Sequence, residues 1–194
     1  MINLQHIVNN IFHKRTIYLI SDTHFDHSNI IRYSHRPFSS VFEMNSAIIR
    51  NWNSTVKKDD IVYFLGDWGF GRGHRPAAYW ISRLNGKIIS IRGSHDHGQG
   101  RQSILHYKIL KTNKHTFLLV HDPNDSRTWK GWLIHGHIHN SKMDKYPFIN
   151  GNRKTINVSV ELTSYTPISL DFLESLDIDS IRWMRTSTSV PERN

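Results

Sequence analysis

The sequence of 194 residues contains no cysteine. Without thiols, the chain cannot form a disulfide, use a thiolate nucleophile, or bind zinc, haem or an iron–sulfur cluster through sulfur. Any metal site must therefore use histidine, carboxylate or amide ligands. The chain has 14 histidines, and histidine is the commonest metal-binding side chain.

Long apolar runs are also missing. Apolar runs such as residues 117–120 have the length of a strand, far short of the roughly 20 residues that cross a bilayer. Residues 1–11 lack the charged start, the unbroken apolar stretch and the small-residue cleavage site of a signal peptide. We therefore expect a cytoplasmic protein with no membrane segment.

Negative charge is scarce in most of the chain. Residues 1–160 carry 22 Lys and Arg against 10 Asp and Glu (+12), whereas residues 161–194 carry 3 against 6 (−3). A basic body favours a phosphorylated or polyanionic ligand. Because the basic residues are scattered rather than clustered, long nucleic acid is the less favoured partner. The composition gives no indication of an oligomeric state.

Short apolar strands alternate with helical patterns in the first half of the chain and dominate the second half. Strands are predicted at residues 16–20, 60–65, 87–91, 104–110, 116–120, 132–134 and 155–160. Helices are predicted from the Ser40–Glu43 capping box, from Pro76 to Leu84, and near Ser169. This order predicts one mixed α/β domain over residues 1–194, with a parallel and a more antiparallel half. Its motif-bearing core covers about residues 16–165, and we expect a polar, frayed tail at 186–194.

Five predicted strands end in residue types that bind metals. The segments that follow them are Asp22-Thr-His24, Gly66-Asp67, Gly93-Ser-His95-Asp96, His121-Asp122 and Gly136-His137-Ile-His139. In open α/β sheets, ligands bind at the carboxyl ends of strands, so these loops are expected to converge. Imidazole and carboxylate ligands suit hard and borderline divalent cations, namely Mn, Fe, Zn or Ni. Their number exceeds one tetrahedral site and fits two ions, which can hold a hydroxide and clamp an in-line displacement at phosphorus.

In order, spacing and position, these blocks resemble the five motifs of the calcineurin-like metallophosphoesterases. The resemblance covers residues 22–139 and implies a four-layer α-β-β-α sandwich of two mixed sheets flanked by helices, with a dinuclear metal centre at one edge. By resemblance, the first metal is held by Asp22, His24 and His139, the bridge is Asp67, and the second metal is held by His121 and His137. His95 is expected to protonate the leaving oxygen or stabilise the developing charge, with Asp96 orienting it.

Ser94 departs from the family pattern, which usually has an asparagine whose amide oxygen binds the second metal. A serine hydroxyl is shorter and a poorer donor, so we expect Ser94 to reach the ion directly or only through water. Occupancy of the second site, and activity with it, depends on which of these holds.

A further segment, with His27, Arg32 and Arg36, resembles a branch of small prokaryotic and phage phosphoesterases. In that branch the extra histidine and arginine lie beside the metals, so these three residues are predicted to contact substrate, with an arginine forking onto phosphate. For Arg36, a surface ion pair is an equal alternative. The aromatic residues near the second block either stack a base or pack in the core; they are Trp68, Phe70 and Trp80.

The resulting hypothesis is a metallophosphoesterase that hydrolyses phosphodiesters of small nucleotides, including 2′,3′-cyclic phosphates, rather than a narrowly recognised monoester. One alternative is a nuclease on longer nucleic acid, whose binding would depend steeply on salt. The other is a metal-binding scaffold with little or no activity, because Ser94 weakens the second site.

Overall fold

The computed structural model describes residues 15–96, 105–126 and 128–194. The first residue of the strand predicted at 104–110 therefore lies outside the described residues. The α-helices are α1 (Ser28–Tyr33), α2 (Val41–Thr55), α3 (Ala77–Ile81) and α4 (Leu170–Ser175). Short 3-10 helices occur at Pro123–Ser126, Val160–Leu162 and Ile178–Ser180.

Eleven strands form two sheets within these ranges. The first five are β1 (Ile17–Ile20), β2 (Ile61–Phe64), β3 (Lys87–Ser90), β4 (Lys108–Lys111) and β5 (Thr116–Leu119). The others are β6 (Trp132–His135), β7 (Ile149–Asn150), β8 (Thr155–Asn157), β9 (Ile168–Ser169), β10 (Ile181–Met184) and β11 (Glu192–Arg193).

Both sheets are mixed. The four-stranded sheet has the order β3-β2-β1-β9, in which β1, β2 and β3 are parallel and β9 is antiparallel. The seven-stranded sheet has the order β11-β10-β7-β8-β6-β5-β4, with β5, β6 and β8 parallel at its centre. The predicted sandwich of two mixed sheets is confirmed, and the carboxyl ends of its parallel strands carry the motif loops.

Alternating side chains of each strand face two different cores, as the pleat of a strand requires. Between the sheets, Leu19 and Leu65 of the first half pack in one cluster with Leu119 and Ile134 of the second. The other face of the four-stranded sheet packs against α2 and α3, the helices that cover it. On the other face of the seven-stranded sheet, the buried apolar cluster is small: Leu118, Val120 and Leu133, with Trp129 packed against it.

Two elements differ from their predictions. The strand predicted at 155–160 ends at Asn157, because the chain turns into the 3-10 helix at Val160–Leu162. The C-terminal segment does not fray throughout: β11 pairs with β10, and the Ser187 amide donates to the Leu162 carbonyl at 2.8 Å. In the part of the chain that is described, no helix is both long and apolar enough to span a membrane.

Candidate metal centre

The loops after the parallel strands meet at one edge of the sandwich and form two groups of ligand atoms. Within each group, the histidine nitrogens and carboxylate oxygens lie within 4.8 Å of one another. The first group is Asp22, His24 and His139, and the second is Asp67, His121 and His137. All six were predicted as metal ligands from the motifs, with Asp67 as the residue shared by both metals.

The Asp67 carboxylate lies between the two groups. Its Oδ2 atom is 3.4 Å from His121 Nε2 and 3.5 Å from His24 Nε2, although these histidines belong to different groups. Its other oxygen accepts a hydrogen bond from the backbone N–H of His95 at 2.8 Å. One oxygen of Asp67 is thus held by backbone, and the other points at the space shared by both groups.

The backbone at the ligand positions is strained. Most of the ligands have a positive φ, a region that residues with a Cβ rarely adopt: Asp22 (61°), His24 (47°), Asp67 (64°), His137 (69°) and His139 (51°). Such strain persists where the surrounding fold enforces it, and it is typical of functional sites. No motif in the sequence signals it.

Two glycines make room for the carboxylates. A Cβ on Gly93 would overlap the backbone and carboxylate of Asp67, and a Cβ on Gly136 would overlap Ser21 and the carboxylate of Asp22. The close approach of these loops therefore requires glycine at both positions.

The donor set fits divalent cations. Both ring nitrogens of His24 are buried without a hydrogen-bond partner. Burial, with the nearby charge of His139, lowers the pKa of His24 to about 3, so this imidazole stays neutral. A buried, neutral imidazole with unpartnered nitrogens beside two carboxylates is the environment that a metal ion would complete.

The charges around the second group favour the ionised form of the Asp67 carboxyl group. Burial alone would raise the pKa of Asp67, but the hydrogen bond from His121 and the charges of His121 and His24 hold it below its usual range. Burial opposes protonation of His121, yet its contacts with Asp67 and the charge of Asp22 raise its pKa to about 9. His121 Nδ1 donates to the Leu65 carbonyl at 2.7 Å, which leaves Nε2 directed at Asp67.

The buried ion pair of Arg36 and Glu161 contacts two residues of the first group, Asp22 and His139. The Arg36 guanidinium contacts Glu161 at 2.7 Å and donates to the backbone carbonyls of Asp22 and Thr23, each at 2.8 Å. Glu161 in turn accepts from His139 Nδ1 at 3.0 Å, which leaves His139 Nε2 for the ligand group. An arginine engaged in this way has no donor for a substrate phosphate. The predicted substrate-binding role of Arg36 is therefore corrected to a structural one.

The sequence analysis missed three residues that hold the first group: Asn157, Ser159 and Glu161. The Ser159 hydroxyl donates to Asp22 Oδ2 at 2.9 Å, and the Asn157 amide donates to the His139 carbonyl at 3.0 Å. Asn157 ends the parallel strand β8 and the other two residues follow it, so the pattern of polar residues at strand ends extends to a sixth strand.

His95 and Asp96 have separate roles. The His95 side chain is 38% exposed, and its Nε2 is 4.0 Å from Asp67 Oδ2. Asp96 is buried and accepts hydrogen bonds from the backbone N–H groups of Gly93, Asp67 and Trp68 at 2.9 to 3.0 Å. Asp96 therefore fixes the loop that carries Asp67. This corrects the prediction that it orients the His95 imidazole.

Ser94 lies at the second group. Its Oγ atom is 3.3 Å from His137 Nδ1, and the residue is exposed. His137 Nδ1 is also 3.2 Å from His121 Nε2. The hydroxyl is thus close to the atoms that would ligate the second ion, in the position where the family usually has an amide.

The other predicted contact residues differ in position. His27 is buried beside His24, with ring centroids 5.5 Å apart, whereas Arg32 is exposed next to Tyr33. Of the three aromatic residues near the second block, Trp68 and Trp80 are buried in the core. Phe70 is 40% exposed and packs against His95 at 4.2 Å, so it alone of these three borders the site.

Comparisons with known proteins give relatives in sequence and in structure. Residues 16–158 match the family model of the calcineurin-like phosphoesterase superfamily domain. The protein MJ1445 of Methanocaldococcus jannaschii is 48% identical over 165 residues, covering 84% of this chain and 91% of that protein. The Gene 66 protein of Mycobacterium phage L5 is 35% identical over 78 residues, 39% of this chain and 37% of that protein. The crystal structure of AQ665 from Aquifex aeolicus has a TM-score of 0.64 at 26% identity, covering 84% of this chain and all of that one.

Proposed function

The chain belongs to the calcineurin-like phosphoesterase superfamily, and from that membership we propose that it hydrolyses phosphodiester bonds of small nucleotides with two divalent metal ions. The substrates include 2′,3′-cyclic phosphates. The observation that carries this proposal is the position of Asp67, whose Oδ2 atom is within 3.5 Å of a histidine from each ligand group. A carboxylate shared in this way favours a pair of neighbouring ions over two separate sites.

The two groups of ligand atoms support the assignment expected from the motifs. Asp22, His24 and His139 would hold one ion, and His121 and His137 would hold the other with Ser94 nearby; Asp67 would be shared between them. When bound, such ions neutralise phosphate charge and lower the pKa of water.

The residues of the chain supply orientation and a proton. His95 lies on the open side of Asp67 and is partly exposed, so its imidazole can reach the leaving oxygen of a bound diester and protonate it. Asp96 keeps the Asp67 loop in place through three backbone hydrogen bonds. His27 lies at the wall of the first group, and Arg32 is the exposed arginine that would contact a phosphate oxygen.

The decisive experiment is hydrolysis of bis-p-nitrophenyl phosphate and of a 2′,3′-cyclic nucleotide with added Mn²⁺, compared with the Asp67→Asn variant. Loss of a residue that merely supports a metal ligand costs 10- to 100-fold, so loss of the shared ligand should lower kcat/KM by more than about 100-fold. Asp59→Asn is the matched control, because Asp59 is 71% exposed and pairs only with Lys87 at 3.6 Å. Equal activity of the Asp67 variant and the wild type would refute the bridge. Bound metal without turnover on any diester would instead support the scaffold alternative.

The role of His95 is tested separately by the leaving group. A general acid contributes about 10²- to 10⁴-fold when the leaving oxygen needs a proton. His95→Asn should therefore slow release of an alkoxide much more than release of p-nitrophenolate, which leaves without protonation. An equal loss for both leaving groups would show that His95 does not donate the proton.

A further inference from the structure

A cavity of about 740 Å³ extends from the second ligand group over the outer face of the seven-stranded sheet. We call it the sheet cavity. Its volume lies within the range of small-molecule sites. Ser94 and His121 border one end, Leu118 and Val120 form part of the floor, and Tyr107 and Trp129 contribute aromatic walls.

Large aromatic and aliphatic side chains form part of the lining of the sheet cavity, beside charged and polar residues. Tyr107 is 60% exposed and Ile109 is 43% exposed, which is unusual for side chains of this size, and both line the cavity. The indole of Trp129 is held in a fixed orientation, because its N–H donates to the Trp132 carbonyl at 2.9 Å. Two aromatic side chains beside a buried aliphatic floor suit a flat, uncharged ring.

The polar groups of the cavity identify the kind of ring. Asp122 and Asp125 line it together with Arg92 and His106, and the two carboxylates would accept hydrogen bonds from ring N–H groups. Asp122 is anchored by the N–H groups of Asn124 at 2.8 and 2.9 Å. A nucleobase has both the flat apolar face and the N–H donors that this lining would bind.

Aromatic side chains thus flank both ligand groups. Phe70 packs against His95 and His27, with ring centroids 4.2 and 4.9 Å apart, whereas the sheet cavity borders Ser94 and His121. A phosphate held at Asp67 would have an apolar region next to each group. A diester, which carries two organic arms, uses both regions, and a monoester uses only one.

We propose that the sheet cavity is a nucleobase subsite, and that Tyr107 and Trp129 make the enzyme prefer phosphodiesters with a nucleoside arm. This inference rests on the proposed phosphodiesterase function and names the substrate class of the same site. The base occupies the cavity while its phosphate lies at the two ligand groups.

The experiment compares two diesters that release the same p-nitrophenolate: thymidine 5′-p-nitrophenyl phosphate and methyl p-nitrophenyl phosphate. Tyr107→Ala should lower the ratio of their kcat/KM values, nucleoside over methyl, by about tenfold, since base stacking on one aromatic side chain has this size of effect. Tyr107→Phe should keep the ratio, because the ring remains. Phe42→Ala is the control: Phe42 is 82% exposed, lies on α2 and is not part of the site.

A binding measurement separates this inference from the proposed function. Thymidine 5′-monophosphate added to the metal-free protein should shift the indole N–H resonance of Trp129, assigned with Trp129→Phe. If neither diester is hydrolysed but the resonance shifts, the subsite stands and the proposed function fails. If both diesters are hydrolysed while the ratio is unchanged in Tyr107→Ala, the subsite is refuted.

Discussion

The two ligand groups are built from the same residue types but differ in their surroundings. In the first group Asp22 and His24 are at most 3% exposed, and the Arg36–Glu161 pair lies beneath them. In the second group the His137 side chain is 35% exposed, with an exposed serine beside it, and His121 borders the sheet cavity.

This difference indicates different tasks. Ligands fixed by a buried hydrogen-bond network are preorganised and bind an ion tightly. Ligands that face a cavity leave room for substrate and exchange their ion more easily. We expect the first position to fill at lower metal concentration than the second.

The largest effect is expected from removing the charge of Glu161, which contacts the first group. Glu161→Gln keeps the shape of the side chain but leaves the Arg36 guanidinium buried without its counter-charge. Breaking a buried pair in this way should lower the free energy of unfolding by about 3–5 kcal/mol. It should also weaken the first metal by about 10- to 100-fold while the second site changes less. Denaturant unfolding and metal titration measure these two effects.

Asp59→Asn serves as the control for Glu161→Gln, since it breaks an exposed ion pair that contributes at most about 1 kcal/mol. If both variants lost the same small amount of stability, the buried pair would not distinguish the two groups.

A smaller effect is expected from a substitution that strengthens metal binding at the second group. Ser94→Asn places an amide oxygen where the hydroxyl now lies, 3.3 Å from His137 Nδ1. The Mn²⁺ concentration for half-maximal activity should fall about tenfold, because a direct ligand replaces a poor one. Ser54→Asn, at an exposed position of α2, should change nothing. An unchanged metal requirement in Ser94→Asn would mean that the serine does not weaken the second site.

The smallest expected effect is a change in Tm, and it comes from a titrating cluster outside both ligand groups. His115 contacts Glu174 and Asp179, each at 3.0 Å. Burial opposes its protonation, but these carboxylates raise its pKa above the usual value. Because the folded pKa is the higher one, the stabilisation is complete below about pH 6.5 and is lost as pH rises through the raised pKa. His115→Gln should remove this decline, worth about 1–2 °C in Tm.

This cluster serves as the reference for pH experiments on the ligand groups. Metal binding should keep its pH profile in the His115 variant, and a changed profile would mean that the cluster and the metal centre are coupled.

The ligand groups were predictable because the relevant signals are local. Five apolar strands of three to six residues are followed within two positions by Asp, His or Gly, and parallel strands bring such ends together. The Arg36–Glu161 pair was not predictable, because its members lie 125 residues apart. No local sequence pattern indicates which arginine is buried beneath a site.

The aromatic residues show the same limit. Trp68, Phe70 and Trp80 have similar sequence surroundings, but only tertiary packing decides that Phe70 reaches the site. The sheet cavity combines residues from the fourth and fifth strands with residues from the loops after the third and fifth strands. Its existence depends on how the described residues cover one sheet face, and hydrophobic periodicity does not report that.

Five of the candidate ligands have a positive φ, so the proposed function and the stability of the fold place opposite demands on these positions. Glycine adopts this backbone region without strain, so replacing Asp22 or His137 by glycine would relax the backbone while abolishing a ligand. The gain is offset at Asp22, whose carboxylate accepts hydrogen bonds from the His137 backbone N–H and the Ser159 hydroxyl, each at 2.9 Å. The same side chains that require the strained backbone thus also hold the loops in that conformation.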